Sequence, residues 1–135
     1  MRRRLVLIDS SAWISHLTDQ ARLPARIVDE LLRTQRVACN VLIRLEVLTG
    51  ARDNAQYAKL QDAFQGLPQL PLSDAVWRRA ERMRFWLRRA GHVIPVPDVV
   101  IASCAIVHDC ELLHTDRHFD IVARTTALKV HPPTQ

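Results

Sequence analysis

The chain has 135 residues, a length that fits one domain spanning residues 1–135 with one hydrophobic core. Hydrophobic residues make up 48% and charged residues 24%, which argues against a disordered chain, and no apolar run approaches the roughly 18 residues that a bilayer-spanning helix needs. The formal net charge is +5, and arginine supplies nearly all of the positive charge.

The N-terminal segment is basic and continues into a short apolar run. Because Asp9 ends this run, the segment is too short for a signal peptide, and we expect a cytoplasmic protein without membrane association. The three cysteines, Cys39, Cys104 and Cys110, show neither a C-x-x-C spacing nor a histidine partner pattern. In a cytoplasmic chain this favours buried thiols that act as small apolar side chains.

Short apolar runs and helical periodicities alternate along the chain. The predicted strands cover residues 4–8, 36–39, 111–114 and 127–130, with a further short strand in the proline-rich loop 66–72. A first helix follows Asp9-Ser10-Ser11, and later helices are predicted at residues 23–36, 41–49, 54–64, 74–90, 98–108 and 117–123. Residues 131–135 are predicted to fray. This alternation predicts an α/β fold with a parallel sheet covered on both faces.

Apolar stripes predict which helix faces are buried. In the helix at 74–90 the stripe has three-four spacing and comprises Val76, Ala80, Met83, Leu87 and Ala90. In the helix at 23–36 the apolar face comprises Leu23, Ile27, Leu31 and Leu32. The helix at 98–108 is apolar nearly all round, so we expect it at the centre of the fold. Phe85 and Trp86 are predicted to lie in the core or in a dimer interface rather than to stack on bases.

Four carboxylates lie at the edges of apolar segments: Asp9, Glu46, Asp98 and Asp116. Such groups cost free energy in a buried setting unless they are paired or bound to a cation. Asp9 and Asp116 each follow a predicted strand, and ligands of parallel sheets bind beyond the carboxyl ends of the strands. The set therefore suggests one acidic cluster built around metal ions.

Magnesium and manganese ions prefer oxygen ligands, mostly carboxylate and water. Hydrolysis of a phosphodiester with two such ions needs a pair roughly 4 Å apart, held by carboxylates from different elements. Without metal, several like charges in one pocket cannot all stay ionised, so a metal-free chain should hold protons or counterions there. Simpler interpretations stay open for single residues: helix caps at Asp9 and Asp98, a salt bridge of Glu46 with an arginine, and a turn at Asp116.

Four acidic motifs occur in order through the chain: IDSSAWI at residues 8–14, EVLTG at 46–50, PDVVIA at 97–102 and TDRHFD at 115–120. Their order and spacing, over essentially the whole chain, resemble the acidic motifs of PIN-domain ribonucleases. The resemblance is closest to the VapC toxins of bacterial VapBC toxin–antitoxin pairs. Each motif alone is weak evidence, whereas all four in order within 135 residues are strong evidence.

The resemblance implies a three-layer α/β/α PIN-like domain with a short, mostly parallel central sheet. It implies an endoribonuclease that depends on Mg²⁺ or Mn²⁺ and hydrolyses RNA by a two-metal type of water activation. Structured RNA such as tRNA or rRNA is the candidate substrate. The resemblance also implies a homodimer and inhibition by a VapB-like antitoxin.

Carried over by position, the resemblance assigns catalysis and metal binding to Asp9, Glu46, Asp98 and Asp116. Ser10 or Thr115 would orient this cluster by hydrogen bonds. Asp120 matches a commonly acidic position whose part in metal binding varies, and a solvated helix face is its alternative. Arg44 places a positive charge in an otherwise apolar stretch of helix, two residues before Glu46. It would neutralise the acidic site or contact RNA.

The helix at 74–90 carries a basic stripe away from its apolar face, made of Arg78, Arg79, Arg82, Arg88 and Arg89. A solvated helix face explains such a stripe, and contact with RNA phosphates is the functional alternative, with Arg78, Arg82 and Arg89 as candidates. The preference for arginine over lysine also fits genome composition. The histidines show no metal-ligand spacing, and His114, in a strand, would point away from the face of Thr115.

Two other functions fit an α/β fold. The first is a non-catalytic PIN-like module that binds nucleic acid or a protein, and the presence of all four carboxylates argues against it. The second is a phosphohydrolase or a phospho-receiver. The phosphatase pattern needs a second Asp two residues after the first, where this chain has Ser11, and residues 36–40 lack the Asp that a receiver needs.

Overall fold

The computed structural model describes residues 3–18 and 23–132. Within these ranges four parallel strands form one sheet with the order β2-β1-β3-β4. The strands are β1 (Val6–Ile8), β2 (Val37–Ala38), β3 (Glu111–Leu113) and β4 (Lys129–Val130). The four main predicted strands are therefore present but shorter than predicted. The strand expected in the loop 66–72 is reduced to an isolated bridge between Cys39 and Gln69.

Seven helices in the described ranges flank the sheet. They are α1 (Ser10–Thr18), α2 (Leu23–Arg33), α3 (Val41–Thr49), α4 (Asn54–Gln65), α5 (Asp74–Arg89), α6 (Val96–Val107) and α7 (Arg117–Thr125). Each predicted helix is present, with ends shifted by a few residues. The predicted three-layer α/β/α fold with a parallel sheet is confirmed.

Local backbone chemistry explains where the element ends differ from the prediction. Helix α2 ends three residues early because Gln35 has a φ of 57°, and its N–H and that of the next residue donate to carbonyls of the last turn. Helix α6 begins two residues before Asp98 because Pro97 is accepted in the first turn of a helix. In the segment predicted to fray, the N–H of His131 donates to a β3 carbonyl at 2.8 Å, and residues 133–135 lie outside the described residues.

The hydrophobic core forms around β1 and α6. All three residues of β1 are buried, and so are the seven consecutive α6 residues Val99–Ala105. Helix α6 contacts α3, α5, α7 and β3, so its predicted central position is confirmed. On α5 the predicted stripe is buried at Val76, Ala80, Met83 and Leu87. Ala90 is exposed, contrary to the prediction, because the helix ends at Arg89.

The burial predicted for Leu23 is wrong, and so is the core alternative for Phe85 and Trp86. Leu23 is 38% exposed, because the buried face of α2 consists of Pro24, Ala25, Val28 and Leu31. Phe85 and Trp86 lie outside the core, because the buried stripe of α5 faces away from them, and they are 55% and 64% exposed. Their rings meet edge to face with centroids 5.2 Å apart. An interface with another chain stays a prediction for this pair.

The cysteines behave as predicted. Cys39, Cys104 and Cys110 all lie in the described part of the chain, are buried, and carry free thiols. Burial raises the pKa of the Cys39 and Cys110 thiols to about 11, so both stay protonated and unreactive at neutral pH. Across residues 3–18 and 23–132, no helix is long and apolar enough to cross a membrane.

Candidate metal centre

The carboxyl ends of β1 and β3 lie side by side. Ile8 is paired with Leu113, and the N–H of Asp9 donates to the Leu113 carbonyl at 2.9 Å. Adjacent carboxyl ends of parallel strands form the crevice in which α/β sheets bind ligands. Asp9 and the segment that leads to Asp116 therefore lie at one edge of the sheet, as their positions in the sequence predict.

Ser11 holds Asp9 at the start of α1. The Oδ2 atom of Asp9 accepts hydrogen bonds from the Ser11 N–H at 3.2 Å and from the Ser11 hydroxyl at 2.7 Å. The same hydroxyl oxygen accepts from the Thr115 N–H at 3.1 Å and so joins the two strand ends. Asp9 is 3% exposed, and this burial raises the pKa of Asp9, although the bonds from Ser11 oppose the rise.

The sequence reasoning missed Ser11 and named Ser10 or Thr115 instead. Ser10 lies near Glu46 and lowers its pKa, and Thr115 contributes its backbone N–H rather than its exposed side chain. No sequence signal separates Ser11 from Ser10, because both follow Asp9 in the same turn. The decisive contact joins Ser11 to a residue 104 positions away.

Glu46 reaches the cluster from α3. It is partly buried, and its Oε1 atom has no hydrogen-bond partner among the described residues. Burial raises the pKa of Glu46, contact with Ser10 opposes this, and repulsion from Asp9 and Asp98 raises the pKa further. Repulsion from other carboxyl groups, rather than attraction to an arginine, is therefore the charge interaction that shifts the pKa of Glu46.

Asp98 and Asp116 face each other across the ring of His118. The Nδ1 atom of His118 lies 3.1 Å from Asp98 Oδ2 and 3.2 Å from Asp116 Oδ1. Asp116 also caps α7, because its Oδ1 accepts from the His118 N–H at 2.9 Å. Burial, followed by repulsion from Asp9 and Asp116, raises the pKa of Asp98, and contact with His118 lowers it. One ligand atom from each of Asp98, Asp116 and His118 lies within 4.8 Å of the others.

His114 contacts two acidic residues of this region, whereas the sequence predicted only that its side chain would lie on the opposite face from Thr115. Its Nδ1 atom accepts the Asp116 N–H at 3.1 Å, and its Nε2 atom lies 3.5 Å from Asp120 Oδ1. The ring is 1% exposed, and burial lowers the pKa of His114 while Asp120, Asp9 and Asp116 oppose the change. Sequence reasoning failed for both histidines because their partners come from different turns and elements.

The candidate RNA-binding arginines lie in different surroundings. Arg44 is partly buried near Cys39. It lies two residues before Glu46, which places the two side chains about 200° apart around the axis of α3. Arg78, Arg82 and Arg89 are exposed on α5. The guanidinium of Arg89 lies 5.6 Å from the ring centroid of Phe85. Arg82 lines a surface cavity of about 460 Å³ at the end of α7.

The donor set of the cluster fits a divalent cation. Asp98, Asp116 and His118 offer two carboxylate oxygens and a histidine nitrogen within 4.8 Å of one another, atoms that divalent ions accept, and Asp9 and Glu46 add negative charge nearby. Burial and mutual repulsion raise the pKa of three carboxylates, and one buried glutamate oxygen is unpaired within the described part of the chain. A bound cation would offset both costs, so the acidic cluster could bind metal.

Comparison with known proteins places this chain in a family. The chain matches the PIN domain family over residues 6–125. It is 35% identical over 129 residues to ribonuclease VapC11 of Mycobacterium tuberculosis, which covers 93% of this chain and 96% of VapC11. It is 28% identical over 114 residues to ribonuclease VapC19 of the same species, which covers 84% of this chain and 90% of VapC19.

A solved structure supports the same fold. The crystal structure of VapBC2 from Rickettsia felis, bound to a DNA fragment from its promoter, contains a chain that superposes with a TM-score of 0.77. The match covers 94% of this chain and 97% of that chain at 17% identity, so it bears on the fold alone. Together with the family match and the 35% identity to VapC11, it shows that the chain belongs to the PIN-domain family, as a VapC-type ribonuclease toxin.

Proposed function

We propose that this VapC-type ribonuclease hydrolyses RNA phosphodiester bonds with Mg²⁺ or Mn²⁺ held by Asp9, Glu46, Asp98 and Asp116. The observation that carries the proposal is the convergence of these carboxylates from four elements. They follow β1, lie within α3, open α6 and cap α7, respectively. Asp98 repels both Asp9 and Asp116, and Glu46 repels Asp9 and Asp98, so each carboxylate lies within the electrostatic reach of at least one other.

The bound ions would lower the pKa of an attacking water and stabilise the leaving oxygen of the phosphodiester. In-line attack of water at phosphorus would leave one product with a 5′-phosphate and the other with a 3′-hydroxyl. The chain contributes a prearranged frame, in which Ser11 holds Asp9, Ser10 contacts Glu46 and the α7 N–H of His118 holds Asp116. Because these contacts exist before substrate binds, little reorganisation is needed during the reaction.

A cleavage assay on the full chain tests the proposal. We expect cleavage of RNA with Mg²⁺ or Mn²⁺, none with EDTA, and a loss of at least about 100-fold in Asp9→Asn, since even partners of metal ligands contribute 10- to 100-fold. Asp62→Asn is the matched control, because Asp62 is exposed on α4 and the substitution changes the charge equally. Equal cleavage by the two variants would overturn the role of Asp9.

The proposed substrate is a structured RNA such as tRNA or rRNA, held by the basic face of α5. The net charge of +5 remains although the metal centre concentrates four carboxylates, so the rest of the surface is more basic than the total suggests. Arg78, Arg82 and Arg89 are exposed on α5, where arginine side chains can contact phosphates. Arg44 is a weaker candidate, because its Nε atom is buried.

The proposed protein partners are a second copy of the chain and a VapB-like antitoxin. Exposed apolar side chains on α5 and near the start of α6 support contact with another chain, namely Trp77, Phe85, Trp86, Val93 and Val96. Light scattering of the purified chain should give the mass of a dimer. Co-expression with the neighbouring open reading frame should yield a complex that no longer cleaves RNA, and a complex with full activity would contradict inhibition.

We also propose a cytoplasmic location. All three cysteines carry free thiols, a state that a reducing compartment maintains. Fractionation of cells that express the chain with its partner checks the location. Recovery of the protein in the membrane fraction would contradict it.

A further inference from the structure

We infer that His118 is a direct ligand of the metal ion on the Asp98–Asp116 side of the centre, where its nitrogen favours Mn²⁺ over Mg²⁺. The inference rests on the metal site proposed above and deepens it. The four acidic motifs point to carboxylates alone, and nothing in them singles out the histidine of TDRHFD. The structure, in contrast, puts that ring inside the cluster.

The position of the His118 ring matches that of a ligand. Its Nδ1 atom lies 3.1 Å from Asp98 Oδ2 and 3.2 Å from Asp116 Oδ1. Two adjacent ligands that are each about 2.1 Å from an octahedral ion lie about 3.0 Å from one another. The imidazole nitrogen therefore has the spacing of an adjacent ligand towards both carboxylates at once.

The start of α7 keeps His118 in this position. Its N–H donates to Asp116 Oδ1 at 2.9 Å, so the residue is tied to the same carboxylate through its backbone. Its side chain is 32% exposed, which leaves the ring accessible to an ion from solvent. His114 differs in both respects, because it is 1% exposed and its Nδ1 already accepts the Asp116 N–H.

Ligand chemistry gives the direction of the metal preference. Mg²⁺ takes oxygen ligands and retains several waters, whereas an imidazole nitrogen suits transition metals better. A neutral imidazole binds a metal through one nitrogen while the other keeps the proton. Replacement of one oxygen by His118 Nδ1 should therefore strengthen Mn²⁺ binding more than Mg²⁺ binding.

The alternative is that His118 only neutralises the two carboxylates and must leave when an ion arrives. The two cases predict opposite changes in metal affinity when His118 is replaced. Removal of a ligand weakens metal binding, whereas removal of a competing hydrogen-bond partner tightens it. Metal affinity, measured without RNA, separates them independently of catalysis.

Calorimetric titration of the metal-free full chain with Mn²⁺ and with Mg²⁺ provides this measurement. We expect His118→Ala and His118→Asn to weaken Mn²⁺ binding at least about tenfold and Mg²⁺ binding clearly less. His108→Ala is the matched control and should change neither affinity, because His108 follows the far end of α6, about 15 Å from Asp98 along the helix. Circular dichroism verifies that each variant is folded.

Electron spin-echo spectra of the Mn²⁺-loaded protein give a direct second readout. We expect ¹⁴N modulation from a coordinated imidazole in the wild type and its loss in both His118 variants. Unchanged or tighter Mn²⁺ binding by these variants, or a wild-type spectrum without ¹⁴N modulation, would overturn the inference. Asp98→Asn distinguishes failure of the inference about His118 from failure of the proposed metal site. If Asp98→Asn abolishes metal binding, the carboxylate site is supported whatever the His118 variants show. If it leaves metal binding unchanged, the proposed site and the inference both fail.

Discussion

The acidic cluster proposed as the metal centre consists of a closed half and an open half. The closed half comprises Asp9, Ser11 and the Thr115 N–H, which bond to one another, and Asp9 is 3% exposed as a residue. The open half comprises Asp98, Asp116 and His118, whose side chains are 16%, 36% and 32% exposed. In the closed half, hydrogen-bond donors from the chain satisfy the carboxylate. In the open half a single histidine ring lies between two carboxylates.

This difference separates stability from metal binding within one site. A buried carboxylate that accepts several hydrogen bonds is held rigidly, and its partners lose free energy when it is removed. Partly exposed carboxylates with few donors can instead exchange their partner for a cation at lower cost. We therefore expect removal of the Ser11 hydroxyl, which holds Asp9, to act on folding, and substitution of the carboxylates to act on metal binding and cleavage.

The largest expected effect comes from the open half. Asp116→Asn should lower kcat/KM at least about 100-fold, because it removes a proposed ligand, whereas Asn still caps α7 and preserves the fold. Asp120→Asn should lower it less than about tenfold, because the Asp120 side chain is 53% exposed and contacts His114 only at 3.5 Å. RNA cleavage rates measure both. Equal losses would mean that Asp120 belongs to the open half.

A smaller effect is expected from the closed half. Ser11→Ala removes the hydroxyl that joins Asp9 to the Thr115 N–H and should lower the free energy of unfolding by about 1–3 kcal/mol. Urea denaturation of the metal-free protein measures this change. Ser73→Ala is the matched control and should cost less than about 0.5 kcal/mol, because the Ser73 side chain makes no capping bond to α5. Equal costs would show that Ser11 does not brace the strand ends.

The pH dependence of stability tests whether the carboxyl groups of the cluster have raised pKa values. Burial raises the pKa of Asp9, Glu46 and Asp98 above model values of 3.8, 4.5 and 3.8. The folded chain therefore keeps protons that the unfolded chain releases. This contribution to stability is complete below the unfolded pKa values and is lost as pH rises through the folded ones.

The expected outcome concerns the melting temperature in EDTA. As pH rises above the ordinary aspartate pKa of 3.8, the wild type should lose more thermal stability than Asp9→Asn, which has one fewer raised carboxyl pKa. His114 acts in the opposite direction, since burial lowers its pKa, and it is present in both proteins. Mn²⁺ should remove the difference at neutral pH. A steeper loss in Asp9→Asn would contradict the raised pKa of Asp9.

The smallest effects are expected outside both halves, on α5. Replacement of Arg78, Arg82 or Arg89 by alanine should weaken RNA binding by a few-fold each. Each replacement should also lower the slope of the logarithm of the binding constant against the logarithm of salt concentration by about 0.7 per lost phosphate contact. Fluorescence anisotropy in the Asp116→Asn background, at several salt concentrations, separates binding from cleavage. Arg52→Ala is the control, because Arg52 is paired with Asp53 at the start of α4. Equal salt slopes for all variants would favour a merely solvated face.

The amino-acid sequence by itself determined the order of strands and helices and the four carboxylates. Apolar periodicity specifies elements locally, and a carboxylate at the edge of an apolar segment conflicts with burial wherever that segment packs. The same locality limited the prediction at Leu23, Phe85 and Ala90, whose burial depends on which helix face meets the sheet and where the helix ends.

Only the tertiary structure decided the contacts of Ser11, His114 and His118. Ser11 meets a backbone N–H 104 residues away, and His118 meets Asp98 20 residues away. Strand alternation placed His114 on the opposite face from Thr115, but β3 ends at Leu113, so the alternation no longer applies to it. Hydrogen bonds and exposure depend on segments that packing brings together, and no periodic pattern along the chain records those distances.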